Sequence, residues 1–566
     1  MGKEFHIIGH PGTGKTTRIV KQGLPKSIQK YGPDKVALSS FSKTAAEEIA
    51  QRVAKEGIEI NKSHVGTLHS LCYRMLDYPK LVNKYIDDWN NEYPRFSISG
   101  KTVGSLDEAE PMDTASIGSQ ALATVEINRA KLRPIEVWPQ TARHFYKLWV
   151  EFKKRVGAVD FTDLIETCLK GMPYAPGQPD IMIIDEAQDF NPLQIALVRS
   201  WAQQMDSLVL VYDSNQCIFS FTGATPEVFT TTKPFSKEVL GQSYRVPQKV
   251  LNVALKVIGN ARVKEDSIYL PRTDAGVVVE GSASILKEAN YKNPGAVIEY
   301  AKNKISDGKS VMILATCAYM LKQVQDALIN EGVPFHNEYR LFNKNWNPLS
   351  HGTETIVTSR DIVSSFMDKG PDENYWNVQQ FLNWTKDLAI GENGLIRGNG
   401  RKGLEFLRQK IKEGSEGLHT SRAFLSKVLS PNAIEYAMKR DLSWLKANTS
   451  RKSVDFPIRV VEKYGIDAIN KKPLCTIGTC HSVKGGESDC VIIFPDWAYA
   501  AHRDLFGQLA GGTHPIAANW DSMYRLFYVA ITRAKEEVVF CSPIKYESQF
   551  PRRLYMDFDS ILQAAA

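Results

Sequence analysis

Eight short apolar runs set the rhythm of this chain. Four fall early, FHIIG at 5–9, VALSSF at 36–41, IMIIDE at 181–186 and LVLVYD at 208–213. Four fall late, VMILAT at 311–316, CTIGTC at 475–480, CVIIFP at 490–495 and VVFCSP at 538–543. Short apolar runs without strict polar alternation are what strands buried on both faces of a parallel sheet require. Helical patterns such as KTAAEEIAQRVAKEG at 43–57 separate several of them, so each block predicts a doubly wound α/β unit. Two stretches differ in character. Residues 79–155 are polar and helix-rich, with a Gly/Ser-containing break at 97–113, and residues 337–470 carry Trp, Lys and Arg on helical patterns broken by GENGLIRGNGRKG at 391–403. No internal repeat stands out.

Composition fits that picture without deciding function. A chain of 566 residues is long enough for roughly three or four domains, and 43% hydrophobic with 23% charged residues is the balance of a globular protein with a sizeable core. Seventy Lys plus Arg against 63 Asp plus Glu leave a net charge of +7, compatible with a polyanionic partner and equally with many ordinary enzymes. The eight cysteines are scattered, without a CxxC pair or zinc-ligand spacing, and read as reduced, buried thiols. The N-terminal apolar stretch is too short for a signal segment, His6 breaks the acylation pattern that Gly2 would begin, and no run reaches membrane-span length. A cytoplasmic enzyme is the expectation.

The first chemistry appears directly after the first predicted strand. Gly9-His10-Pro11-Gly12-Thr13-Gly14-Lys15-Thr16, followed by Thr17, matches the phosphate-binding pattern GxxxxGK[ST] between a strand and a helix. Glycines let successive backbone N–H groups turn inward around phosphates, Lys15 supplies charge at the β and γ oxygens, and the Thr16 hydroxyl can ligate Mg²⁺. The competing reading is a Gly-rich turn, which would match by chance in about 2% of chains this long. Alone, the loop suits kinases, GTPases and ATPases. IMIIDEAQDF narrows the choice, because Asp185 and Glu186 close an apolar run at the end where a parallel sheet presents ligands. Asp185 can hold Mg²⁺ through its water shell, and Glu186 can orient and deprotonate the attacking water.

IIDEAQD at 183–189 resembles the DExx element of UvrD/Rep-type superfamily-1 helicases, and further motifs follow in the family's order. SSFSKTAAEEI at 39–49 resembles the segment containing Phe-Thr-Asn-Lys-Ala-Ala, although Lys43 stands one place early and Thr44 takes the usual Lys position. VGTLHSLCYRML at 65–76, VDFTDLIE at 159–166, VYDSNQCIFSFTGA at 211–224, LGQSYRVP at 240–247, GTCHSVKGGESD at 478–489 and YRLFYVAITRAKE at 524–536 are similar to the others. The resemblance implies two RecA-like P-loop domains with parallel sheets plus helical insertion domains, using ATP and Mg²⁺. The first, 1A, would comprise 1–78 and 156–240 and the second, 2A, 241–336 and 471–566, with insertions 1B at 79–155 and 2B at 337–470.

Site residues carry over by motif. Gln216 would bond the γ-phosphate, Arg245 and Arg533 would act as arginine fingers, Tyr244 would stack on adenine and Glu487 would accept from the ribose. For Tyr244 a half-buried core position is the competing reading. Phe41, Thr67, His69, Phe219, Phe221, Thr479 and His481 are the DNA-binding candidates, an arrangement of rings, hydroxyls and imidazoles that grips single strands with little sequence preference. Any one Phe is more often core than platform.

The sequence also departs from the family pattern. Only eight residues precede Gly9, so the upstream glutamine that reads adenine is expected to be absent, and Thr222 stands where Arg is common. After VVFCSP the chain passes quickly to YESQF at 546–550, so the strand-separating hairpin is expected to be missing. The reading is an ATP-dependent 3′→5′ single-stranded DNA translocase and helicase, working on single strands and at single-strand/duplex junctions, with its protein partners unknown and no membrane expected. Alternatives are a translocase that strips proteins with little unwinding, and a nucleotide-regulated scaffold. RNA is a second possible track.

Overall fold

The computed structural model describes residues 2–99, 116–230, 233–279, 286, 288–341, 343–353, 356–368, 375–414, 419–497, 520–544 and 556–558. The side chains of Lys43 and Thr44, most of the break at 97–113, and the YESQF segment lie outside the described residues. Each of the eight apolar runs is a strand. The first sheet has the order β3-β2-β4-β5-β1-β6, with β1 at Lys3–Gly9, β2 at Val36–Ser40, β3 at Val65–Thr67, β4 at Ile181–Asp185, β5 at Ser207–Tyr212 and β6 at Ser236–Leu240. Every pairing in it is parallel. Side chains alternate along β4, so Ile181 and Ile183 join a core with Ile19, Leu24 and Val53, while Met182 and Ile184 join one with Leu164, Val198 and Trp201. Helices on both faces therefore cover the sheet, as continuous apolar strands require. Its carboxyl edge gathers Gly9, Ser40, Thr67, Asp185 and Tyr212, the last residues of five strands and the starting points of the candidate site.

The chain forms two compact units. One comprises Met1–Asn290, Leu314–Tyr319 and Thr479–Ala566, and the other Tyr291–Ile313 and Met320–Gly478. Besides the first sheet, the first unit holds β7 at Gln242–Pro247 paired with β8 at Leu270–Arg272, and a parallel group in which Ser488–Ile493 pairs with Ala534–Phe540, which pairs with Val277–Val279. Residues 79–155 contribute helices Ile86–Glu92, Ile117–Ala130 and Gln140–Val156 around a separate aromatic core of Trp89, Phe145, Trp149 and Phe152. The Gln140–Val156 pattern is amphipathic and stops at Gly157, whose φ of 63° is the left-handed conformation that ends helices.

In the second unit, Phe335–His336 pairs in parallel with the strand beginning at Cys475. Among the described residues of 337–470, α-helices run from Ser359–Met367 to Asp467–Asn470 and pack around Phe366, Trp376, Trp384 and Trp444. Capping boxes at Thr358 and Asn377 mark the starts of two of these helices. Seven of the eight cysteines are buried and none is joined in a disulfide. Among the described residues no helix is long and apolar enough to cross a membrane.

Candidate functional site

The phosphate-binding loop leaves β1 at Gly9 and enters the helix Lys15–Arg18 through Gly14, whose φ of 81° is left-handed. Gly12, at φ 74°, is required twice over, since a Cβ there would stand 2.5 Å from the Cβ of Arg245. Thr13 Oγ1 donates to the His10 carbonyl at 2.8 Å, and Lys15 Nζ, itself buried, donates to the Gly9 carbonyl at 2.8 Å. Residues of β7, and Tyr269 just before β8, hold the loop. The Tyr244 amide donates to the Gly12 carbonyl at 2.8 Å, and Ser243 Oγ and the Tyr269 hydroxyl both donate to the Pro11 carbonyl. The His10 ring stacks on Tyr269 at 4.5 Å and hydrogen-bonds Ser267, while Thr17 is exposed.

β4 delivers the two carboxylates. Thr16 Oγ1 donates to Asp185 Oδ2 at 3.1 Å, and Glu186 follows in the left-handed region at φ 52°, its amide donating to Asp185 Oδ1 at 3.0 Å. Burial, then the adjacent Glu186 charge, pushes Asp185 up to about 7, with Lys15 opposing. Glu186 moves the other way. Burial would raise it, but the Lys15 and Lys484 charges and a hydrogen bond from the Gln188 amide outweigh that and hold it below the usual carboxylate range. A hydroxyl and a buried carboxylate with incomplete charge compensation form a hard-oxygen pair that fits Mg²⁺. Thr16 and Asp185 would hold that ion.

Opposite the loop, Gln216 ends a short 3₁₀ turn after β5. Its Nε2 donates to Asp213 Oδ2 at 2.9 Å, and its Oε1 accepts from Arg533 Nη2 at 3.0 Å. Arg533 is buried and also donates to the Val529 and Gly486 carbonyls. Arg245 Nε donates to Glu487 Oε2 at 2.7 Å, joining two residues that the resemblance gave separate roles. Tyr244 is 72% exposed, which removes the core reading of its ring.

The nucleic-acid candidates form two groups. Phe41 stacks on Phe219 at 5.1 Å, Phe219 meets Phe221 at 5.8 Å, and His481 lies 5.5 Å from Phe221, giving one continuous aromatic row. Within it Phe219 is only 5% exposed, whereas Phe41, Phe221 and His481 are half-buried. Thr479 lies two residues before His481 and spends its Oγ1 accepting the Ser482 amide at 3.2 Å. Separately, Thr67 caps the helix Leu68–Met75 by accepting the Ser70 amide, and His69 packs edge-on against Phe161 at 5.8 Å. Burial pushes the His69 imidazole down to about 4, which favours the neutral ring.

Two residues the sequence left unremarked sit at the centre. Lys484 Nζ reaches Asp189 and the Gln216 carbonyl, and both residues lie inside strings already singled out, GTCHSVKGGESD and IIDEAQD. Their types alone gave no signal.

Comparison with known proteins finds relatives of this sequence. Residues 1–236 match the family model described as the UvrD/REP helicase N-terminal domain. A probable DNA helicase II homolog of Mycoplasma pneumoniae is 25% identical over 639 residues, covering 97% of this chain and 84% of that protein. The Mycoplasma genitalium homolog is 26% identical across 94% of this chain and 82% of its own. The ATP-dependent DNA helicase PcrA of Bacillus subtilis is 24% identical, with 58% of this chain matched to 48% of that protein.

Proposed function

We propose that this chain, a UvrD/Rep-type helicase by family, is an ATP-dependent DNA helicase that translocates 3′ to 5′ along a single strand. The supporting observation is the continuity of 213–221. In that segment Gln216, bonded to Arg533, stands three residues before Phe219, which stacks on Phe41. A short rigid segment that touches the phosphate site at one end and an aromatic row at the other can convert phosphate state into grip on a base.

In this reading the backbone amides of the loop from Gly9 to Thr16 and the Lys15 ammonium hold the ATP phosphates. Glu186, held ionised, accepts the proton of the attacking water. Arg245 and Arg533 face the charge spread over the transferring phosphoryl oxygens, and the Gln216 amide contacts the γ-phosphate. Tyr244 offers an exposed face to adenine, and Glu487 accepts from the ribose. Thr16 and Asp185 would hold Mg²⁺, which would supply neutralisation of the phosphate charge. Domains 1A (1–78, 156–240) and 2A (241–336, 471–566) would alternate their grip on the strand, with 1B (79–155) and 2B (337–470) as insertions.

The test is ATP hydrolysis without nucleic acid and with single-stranded DNA, single-stranded RNA or duplex. Single-stranded DNA should stimulate most, and a rate indifferent to it would overturn the motor. Glu186→Gln, as the control, should bind nucleotide yet turn over roughly 10²-fold slower, as removal of a general base does.

A further inference from the structure

Lys484, whose charge helps to hold Glu186 ionised, makes further contacts that none of the roles above uses. Its side chain is 9% exposed, and its ammonium contacts the Asp189 carboxylate, donates to the Gln216 carbonyl at 2.8 Å, and lies 3.8 Å from Glu186 Oε2. The same nitrogen stands 5.2 Å from the centre of the Phe219 ring. One cation thus touches the turn after β4, the turn after β5 and the aromatic row. Asp189 is its counterpart. It is 2% exposed, its Oδ2 faces Lys484, and its Oδ1 has no hydrogen-bond partner. A buried carboxylate satisfied on one side only depends on that ammonium, because an unpaired buried charge is strongly unfavourable.

We infer that Lys484, anchored by Asp189, is a positioning residue that couples the aromatic row to the water-activating carboxylate. The inference rests on the proposed function, since it assumes that Glu186 activates water and that the row contacts DNA. The ammonium has three N–H donors. Two are engaged by Asp189 and the Gln216 carbonyl, which fixes the nitrogen between Glu186 and the Phe219 ring. A base stacked on the half-buried Phe221 or Phe41 would press on Phe219, which packs against both, and that displacement would be felt at Lys484, where any shift changes the field at Glu186. Attraction between unit charges a few ångströms apart is steep in distance when water is excluded. Gln216 is drawn into the same movement through its backbone. Lys484 therefore acts through other groups and touches neither substrate.

The experiment compares wild type, Lys484→Met, Lys484→Arg and Asp189→Asn. For each, kcat and KM for ATP are measured with and without single-stranded DNA, alongside DNA affinity and melting temperature. Lys484→Met should lose about 10-fold or more of DNA-stimulated kcat, with KM for ATP changed less than about 3-fold, so that the ratio of stimulated to basal rate falls towards one. Lys484→Arg, which keeps the charge, should retain most of that ratio, and Asp189→Asn should lower it. An undiminished ratio in both Lys484→Met and Asp189→Asn overturns the coupling role. So does a loss that Lys484→Arg fails to rescue while its melting temperature is normal. Should Lys484→Met not fold, Asp189→Asn and Lys484→Arg decide by the same ratio. If wild type itself is not stimulated by DNA, the proposed function has failed rather than this inference.

Discussion

Arg533 and Gln216 share a buried hydrogen bond of 3.0 Å, so the two side chains expected at the γ-phosphate are each other's partners. Arg533 also spends Nε and Nη1 on the Val529 and Gly486 carbonyls, which leaves its fork rigid. A guanidinium held in that way costs little to place against transition-state charge. Arg533→Ala should therefore lower kcat by about 10²-fold or more while nucleotide affinity changes far less. It should also lower the melting temperature, because two backbone carbonyls and Gln216 lose a donor. Nucleotide titration beside steady-state hydrolysis separates the effects. Lost affinity with kcat preserved would make Arg533 a ground-state binding residue.

Phe219 and Phe221 are two residues apart and differ in consequence. Phe219 is packed between Phe41, Phe221 and His481, whereas Phe221 keeps part of its ring in solvent. Phe221→Ala should weaken single-stranded DNA binding by about 1–3 kcal/mol, the worth of one stacking platform. Phe219→Ala should instead destabilise the fold by about 3–5 kcal/mol, as a large buried truncation does. Fluorescence anisotropy with a labelled oligonucleotide, and thermal melts at the same salt, read the two quantities. Unchanged DNA binding in Phe221→Ala with a lowered melting temperature would return that ring to the core.

The strands were legible because each is a short apolar run, and burial on both faces demands little else. β6, SKEVL at 236–240, was not, since it is an edge strand with four exposed residues and a charged composition suited to an unpaired edge. The three residues of β3 are too few to show a period. At the site, the loop from Gly9 to Thr16 and the Asp185-Glu186 pair could be read because local spacing dictates their chemistry. Lys484 could not, because its meaning comes from Asp189, 295 positions away. The exposure of Tyr244 and the pairing of Arg245 with Glu487 are likewise consequences of packing that no local pattern carries.

Arg129 gives the same lesson a measurable form. Buried in the helix Ile117–Ala130, it donates to Asp160, Asp163 and Glu166, the three acids of VDFTDLIE, while Lys153 joins Asp160 and Asp163. That string thus ties 79–155 to the helix Phe161–Gly171. Arg129→Met should cost about 3–5 kcal/mol, because the buried Asp160 loses one of its two cations and the half-buried Asp163 and Glu166 lose the same partner. Burial would raise Asp160, but Arg129 and Lys153 hold it down at about 2. A depressed carboxyl stabilises fully above its unfolded pKa, near 4, and loses that contribution as pH falls towards 2. Urea midpoints of wild type and Arg129→Met should differ most at neutral pH and converge as pH drops from about 5 towards 3. Equal midpoints at pH 7 would show that Lys153 suffices.

The proposed direction of travel rests on the family resemblance and not on residue chemistry. A chain with the UvrD/Rep motif set should load productively on a 3′ single-stranded tail and not on a 5′ tail. Each base-pair step costs about 1.4 kcal/mol on average, which a stepping motor can overcome by trapping fraying ends without a well-formed wedge. With the separating hairpin expected to be missing from the sequence, displacement from the 3′ tail should lag behind the ATPase rate. Matched duplexes with a 3′ tail, a 5′ tail or blunt ends provide the comparison, at equal salt because phosphate contacts make affinity salt-dependent. Preference for the 5′ tail would overturn the polarity. Hydrolysis stimulated by single strands with no displacement from any tail would leave translocation intact and make removal of bound protein the activity to measure.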